Sequence, residues 1–381
     1  MKYPRIHLAI DNCFASKRWT HPQEWMQIAK DLDIRMIEAS ADNECDPLYS
    51  PPEALAEWRK QVRSAAMASG GRVANFYSGH GTYATLGLAH PDKRVRDHIQ
   101  HHWLDVMIQQ AGELGAGLGF FCHAIKQDIL HDPEQYQAAM HDLYVRLAQL
   151  AQAAQAAGLP SIGVEQMYSP HQPPWTINGA LELLREVFAR GGAPFYLTLD
   201  LGHAVGQSQF LRPSPTQIEV LCEDINADRA LPEMWFPFYT SEYKVTPRQI
   251  VEAFDARPHL FAKPEDGDPY AWLRVLGAYS PIVHLQQTDG TVSAHRPFTR
   301  KFNETGIIDP KRVLQALKVS YDAPELPGLP PRVTDVYLTL EIFSGTAQRY
   351  DTILKALRES AAYWRAVVPE DGQRLDEIVL S

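Results

Sequence analysis

Several things are scarce in this chain, and each shortage closes off a class of function. Cysteine is the first: Cys13, Cys45, Cys122 and Cys222 are the four in 381 residues, with no CxxC or other metal-type spacing. A disulfide-stapled fold and a thiolate zinc site are both poor fits, so a reduced, cytoplasmic protein is expected. No apolar run approaches the ~20 residues of a membrane-crossing helix, and MKYPRIHLAIDNC lacks the charged, apolar, small-residue order of a secretion signal. No membrane partner is expected. Basic charge is also short, with 36 Lys and Arg against 46 Asp and Glu and a formal net charge of -10. Without a Lys/Arg block to track a phosphate backbone, nucleic acid is not an expected partner either. Finally, no GxGxxG turn follows the first apolar run, which argues against an open dinucleotide-binding sheet.

What is present is a regular beat. Short apolar runs read as strands: RIHLAI, RMIEAS, RVANFY, GLGFFCHA, SIGVEQ, YLTLDL, IVHLQQ and VYLTLE. Segments of helical period separate them. Val95, Ile99, Trp103, Val106, Met107 and Leu114 share one helical face, and Asp132-Pro133 opens another helix with an N-cap and a first-turn proline. Thr20 and Gln23 have the spacing of a capping box ahead of the first helix. Eight strands alternating with helices favour an α/β fold of the (β/α)8 TIM-barrel type, because each parallel connection needs a crossover. The expectation is a single domain over residues 1–381, with a long insertion at about 204–279, between strands six and seven, lying over the barrel mouth. DAPELPGLPPRVTD reads as a further surface connection.

The strand ends carry the chemistry. YLTLDLGH finishes on Asp200 and His203, and its first residues return as YLTLE, ending on Glu341; SIGVEQ presents Glu165 and IVHLQQ presents His284. In a TIM barrel the carboxyl ends of all strands open on one face, so these residues converge there. Singly, each reads as a hydrogen-bonded strand cap; jointly, the three carboxylates repel one another unless a cation sits among them. Such oxygen-rich ligation suits one divalent metal ion, Mn²⁺ first, with Mg²⁺ or Co²⁺ as alternatives.

The order Glu, Asp-x-x-His, His, Glu on strands five to eight resembles the xylose isomerase-like TIM-barrel superfamily, especially its sugar isomerase and epimerase branch. LGLAHPDKRVRDHIQHHWLDVMIQQAGELGA also resembles that family's stretch after strand three. The resemblance implies that Glu165, Asp200, His284 and Glu341 hold one divalent metal and that Glu165 and Glu341 serve as acid and base. His203 stands where the family has a substrate-binding histidine. His123, His80, Arg296 and Asp289 are further candidates for substrate contact, each with an ordinary loop or surface role as its alternative. Trp235, Phe236, Phe238 and Tyr239 read either as an apolar lid or as packing within the insertion. HLQQTDGTVSAHRPFTRKFNETGIID departs from the family's turn after strand seven, which leaves the sugar open.

The function this implies is metal-dependent isomerisation or epimerisation of a ketose or aldose, free or phosphorylated, through an enediolate. No Gly-rich phosphate cradle is visible, which leans towards an unphosphorylated substrate. An alternative keeps the metal site but breaks a bond, as an oxo-sugar lyase, decarboxylase or C-glycoside deglycosidase. A more distant one is an AP endonuclease IV-like nuclease, using His80, His123, His203 and His295 for extra zinc ions; Ser293 stands where its Asp would precede His295. Family habit implies a homo-oligomer, either dimer or tetramer.

Overall fold

Alternation along each strand decides what faces the middle of the molecule. In YLTLD the tyrosine, threonine and aspartate share one parity and the two leucines the other. A computed structural model, which describes residues 2–229 and 244–379, arranges these runs as a closed parallel barrel. Its strands are β1 (Arg5–Asp11), β2 (Met36–Ser40), β3 (Arg72–Ser78), β4 (Gly117–Phe120), β5 (Ile162–Glu165), β6 (Tyr196–Asp200), β7 (Ile282–Leu285) and β8 (Asp335–Leu340). Each pairs in parallel with the next, and β1 closes the ring by pairing with both β2 and β8. The odd parity of YLTLD turns inward: a Cβ on Gly119 of β4 would sit 2.9 Å from Thr198 Oγ1, across the barrel interior. Leu197, Leu199, Leu338 and Leu340, on the other parity, are completely buried beneath the helices. Burying each such side chain contributes about 1.5–3 kcal/mol.

A short strand, β9 (Gln373–Arg374), adds antiparallel to β1 at Arg5 and Ile6. The pairing of β1 with β2 starts only at Ala9. That leaves the first half of β1 with an open edge, which β9 covers.

The first helix, α1 (Pro22–Asp31), corrects one expectation. Its N-cap is His21, whose N–H donates to Glu24 at 3.1 Å, not Thr20 with Gln23. Pro22 is the cause, since it occupies the first helical position and forces the residue before it into extended backbone. α2 (Pro52–Ser69) follows, and then α3 (Lys93–Ile99) and α4 (Asp105–Leu114), joined without a break by a π-helical turn over Gln100–Leu104. Asp132 caps α5 (Pro133–Ala156) through the N–H groups of Glu134 and Gln135, and α6 (Ile177–Gly191) is capped by Thr176.

Between β6 and β7 the described residues form a 3-10 turn at His203–Phe210, then α7 (Pro215–Asn226), α8 (Pro247–Asp255) and α9 (Pro269–Leu276). α9 packs on β6, on α6 and on α10 (Pro310–Asp322), so it is the barrel's own crossover helix for this step. The additional chain therefore precedes Pro269. Trp235, Phe236, Phe238 and Tyr239 lie outside the described residues. The connection after α10 runs as turns to β8, and α11 (Tyr350–Arg365) ends the helical layer.

Candidate functional site

Strand register brings the polar ends together. Asp200 and His284 are paired across β6 and β7, and the Glu341 N–H donates to Leu285 O at 3.0 Å, locking the end of β8 beside β7. Glu165 closes β5 on the same face. One ligand atom from each of Glu165, Asp200, His284 and Glu341 lies within 4.8 Å of all the others, and all four side chains are buried. His284 Nδ1 is 3.1 Å from Glu165 Oε1 and 3.3 Å from Glu341 Oε2. Its Nε2 lies 2.8 Å from Glu38 Oε1, so the ring is held from below while Nδ1 faces the cluster.

Asp200 is fixed by a ring of donors. The backbone N–H groups of Gly202 and His203 reach its Oδ1 at 2.6 and 3.1 Å, and Gln286 Nε2 reaches both oxygens at 2.9 Å. Glu165 accepts from the Tyr77 hydroxyl. Gly202 is needed for this arrangement, since a Cβ there would overlap the Gln286 amide at 2.2 Å.

Burial works against every charge here. It lifts Asp200 above its ordinary value, and burial would do the same to Glu165 and Glu341. For Glu165 the neighbouring His203 and His284 more than offset it, and for Glu341 His284 and His295 do so strongly, leaving both carboxyls below their ordinary values. Burial alone would also lower His284, but Glu341 and Glu38 hold it well above the usual imidazole range. Two like charges 4.8 Å apart repel by about 3 kcal/mol at an effective dielectric of 20. The facing imidazoles thus offset part of the repulsion among the carboxylates.

Two observations show that the residues fit a divalent metal. Three carboxylates and one imidazole are a hard-to-borderline donor set of the kind Mn²⁺ or Mg²⁺ takes. Glu341 Oε2, pointing at the cluster, is buried with no hydrogen-bond partner; His295 Nδ1 approaches it to 3.2 Å without the alignment of a hydrogen bond. Glu165, Asp200, His284 and Glu341 are the residues that could hold the ion.

Above the cluster lies a mouth cavity of about 240 Å³, walled by Glu165, Glu341, His80, His203, His295, Tyr168 and Phe343 among others. His203 Nδ1–H donates to Gln166 O, 2.9 Å away, and its Nε2 is 3.7 Å from Asp200 Oδ2. His80 packs edge-on against Phe343, with Nε2 3.7 Å from Glu341 Oε1. His123 is elsewhere: it is fully buried, hydrogen-bonded through Nε2 to Pro173 O, and it does not line the cavity. Arg296 pairs with Asp289 at 2.7 Å and lies over the Phe302 ring, also away from the cavity.

The sequence reading did not single out Glu38, Asp11, Tyr77 or Gln286 for this site. Glu38 and Asp11 are paired across β1 and β2 and reach the His284 ring from the opposite wall. Their signal was an acid within RMIEAS and one closing IHLAID, visible once the first strands are scanned by parity as well as the last. His295 is held with a positive φ of 45° while its ring stacks on Phe343 at 4.0 Å. Strain of that kind at a polar residue often marks a functional position.

A family model described as a xylose isomerase-like TIM barrel matches residues 26–326. A stretch of 55 residues is 47% identical to D-erythrulose 1-phosphate 3-epimerase of Brucella abortus (strain 2308), covering 14% of this chain and 18% of that protein's length. Among solved structures, a provisionally assigned xylose isomerase from Rhodospirillum rubrum ATCC 11170 superposes with a TM-score of 0.70 at 18% identity, over 95% of this chain and 99% of that one. D-Psicose 3-epimerase from Clostridium cellulolyticum H10, solved with D-tagatose, gives 0.56 at 12% identity, over 96% and 99%. At these identities the structural likeness speaks for the fold.

Proposed function

The chain belongs to the xylose isomerase-like TIM-barrel family, and from that membership together with the donor set at the barrel mouth we propose that it is a divalent-metal-dependent epimerase or isomerase of ketose or aldose sugars. The observation that carries this reading is the buried meeting of Glu165, Asp200, His284 and Glu341 within 4.8 Å. The sugar epimerases among its relatives support it.

When bound, the ion, Mn²⁺ by preference, would polarise the substrate carbonyl and spread the charge of the enediolate. The chain's own groups do the rest. Glu341 lines the cavity with its carboxylate, ionised between His284 and His295, and is placed to accept the proton from the carbon beside the carbonyl. Glu165 stands across the same cavity on β5, its Oε2 held by Tyr77, and is placed to return a proton from the other side. Return to the opposite face of the same carbon gives an epimer; return to the neighbouring carbon gives an isomer. His203 is placed to bind a sugar hydroxyl at the cavity wall.

The test is deuterium uptake from D₂O into a panel of ketoses, followed by NMR on the Mn²⁺-loaded protein. Uptake beside the carbonyl with unchanged substrate mass apart from the label is the expected result. Glu341→Ala should reduce it by about 10²–10⁴-fold, the scale of lost general acid–base help. Fragmentation of the sugar would instead favour a lyase, and near-normal uptake in the variant would remove Glu341 from the role.

A further inference from the structure

A larger opening lies on the outside of the barrel, between α5 and α6. Tyr136, Met140 and Tyr144 recur every fourth residue on α5, and Asn178, Glu182, Glu186 and Arg190 do so on α6, so each set forms one stripe along its helix and both stripes line the same cleft. Trp175, from the loop before α6, and Phe261 and Lys263, from the chain between α8 and α9, complete the walls. The cleft measures about 680 Å³, inside the roughly 300–1,000 Å³ of a small-molecule site and well above the 240 Å³ of the mouth cavity. None of its lining residues lines the mouth.

Polar groups in this cleft lack the partners that buried groups ordinarily have. Tyr144 is 6% exposed and Trp175 3%, yet the phenol hydroxyl and the indole N–H make no hydrogen bond among the described residues, and neither does the Tyr136 hydroxyl. Burial, with Glu182 next, pushes both phenols up, so they stay protonated and can donate. The Asn178 amide and the Glu182 carboxylate, on exposed positions of α6, add a donor and acceptors. Charge on the walls is mixed: Glu182 and Asp266 stand against Lys263, and Glu186 pairs with Arg190. A cation or an anion brought in would therefore meet a like charge, whereas neutral hydroxyls can use phenol, indole, amide and carboxylate alike.

We propose that the cleft between α5 and α6 is a second ligand site, outside the barrel, for an uncharged saccharide of more than one ring. Tyr136, Tyr144, Trp175 and Phe261 supply aromatic surface for ring faces, and the unpartnered polar tips receive the hydroxyls. The loop over 166–176 separates this site from the mouth. Tyr168 lines the mouth while Pro173, Pro174 and Trp175 line the cleft, and Gln207 Nε2 ties the two parts of the loop together by donating to Met167 O at 2.9 Å and Trp175 O at 3.1 Å. A saccharide held here is bound without being converted, because none of Glu165, Asp200, His284 and Glu341 lines the cleft.

Isothermal titration of the Mn²⁺-loaded protein with trehalose and with methyl β-cellobioside, neither of which has a free carbonyl for the mouth to enolise, is compared with titration by choline and by glucose 6-phosphate. At least one neutral disaccharide should bind saturably and more tightly than both charged probes. Asn178→Ala and Glu182→Ala should each weaken that binding about 2–10-fold, the scale of one hydrogen bond, while Glu341→Gln at the mouth should leave it unchanged. Trp175→Phe, which keeps an aromatic ring against Phe210, should remove the change in tryptophan fluorescence that accompanies binding. Circular dichroism melting confirms that the variants are folded. No binding of either disaccharide, tighter binding of choline or glucose 6-phosphate, or binding lost in Glu341→Gln and kept in the cleft variants would each overturn the proposal.

Discussion

His284 is gripped through both ring nitrogens, and its neighbours explain why. Glu38 Oε1 at Nε2 leaves Nδ1 as the atom offered to Glu165 and Glu341. Substituting Glu38→Gln keeps the shape but removes the charge behind the ring. By calorimetric titration, Mn²⁺ affinity should fall about 10–100-fold, the usual effect of losing such an outer partner. The same residue predicts a pH dependence. Although burial pulls His284 down, Glu341 and Glu38 lift its pKa well above the ordinary imidazole range, which favours the protonated ring when no metal competes for it. A metal needs the unprotonated nitrogen, hence its binding expels that proton. Apparent affinity should climb with pH by up to about tenfold per unit while His284 is the proton released. Titrations in buffers of different ionisation enthalpy count the proton directly; affinity independent of pH would contradict the assignment. Glu165, Asp200, His284 and Glu341 were legible in the sequence because they fall at or next to the ends of the last four strands and follow the family's order, whereas Asp11 at the end of β1 has no such counterpart to mark it. Glu38 was not legible, since its role depends on the His284 ring that lies across the barrel.

At the level of elements, parity explains both the successes and the failures of reading strands from sequence. The repeated YLTL places Tyr and Thr inward and both leucines outward in β6 and β8, and the acid that follows is then bound to point at the mouth. That pattern needs no tertiary information. β9 did depend on it, because two residues have no periodicity and the strand exists only where β1 lacks a partner. The cap of α1 was misplaced by one residue, as the rigid Pro22 outranked the Thr20–Gln23 spacing. Leu199 tests the outward layer, being completely buried on the helix side of β6. Leu199→Ala should lower stability in urea unfolding by about 2–5 kcal/mol. A loss below about 1 kcal/mol would mean that the site is not packed as described.

For the whole molecule, closure of the barrel is what makes a site from residues spread over the chain. Asp11 and Glu38 come from its first two strands, Glu165 to Glu341 from its last four, and only a closed ring puts β1 between β2 and β8. The alternating strands and helices announced that closure; the chain before Pro269 in the β6–β7 connection did not announce its path, because its short helices have no repeating partner. A buried cluster of like charges should also couple metal to folding. At a free Mn²⁺ concentration 100-fold above Kd, stability should rise by about 2.7 kcal/mol, seen as a higher melting temperature that EDTA reverses. The central claim, that four strand ends share one ion, is tested most directly by titrating metal-stripped protein with Mn²⁺ and measuring bound metal per chain by elemental analysis. The account predicts one tightly held ion in the native protein and its loss in Asp200→Asn and Glu341→Gln. No binding in the native protein, or binding undiminished in both variants, would contradict it.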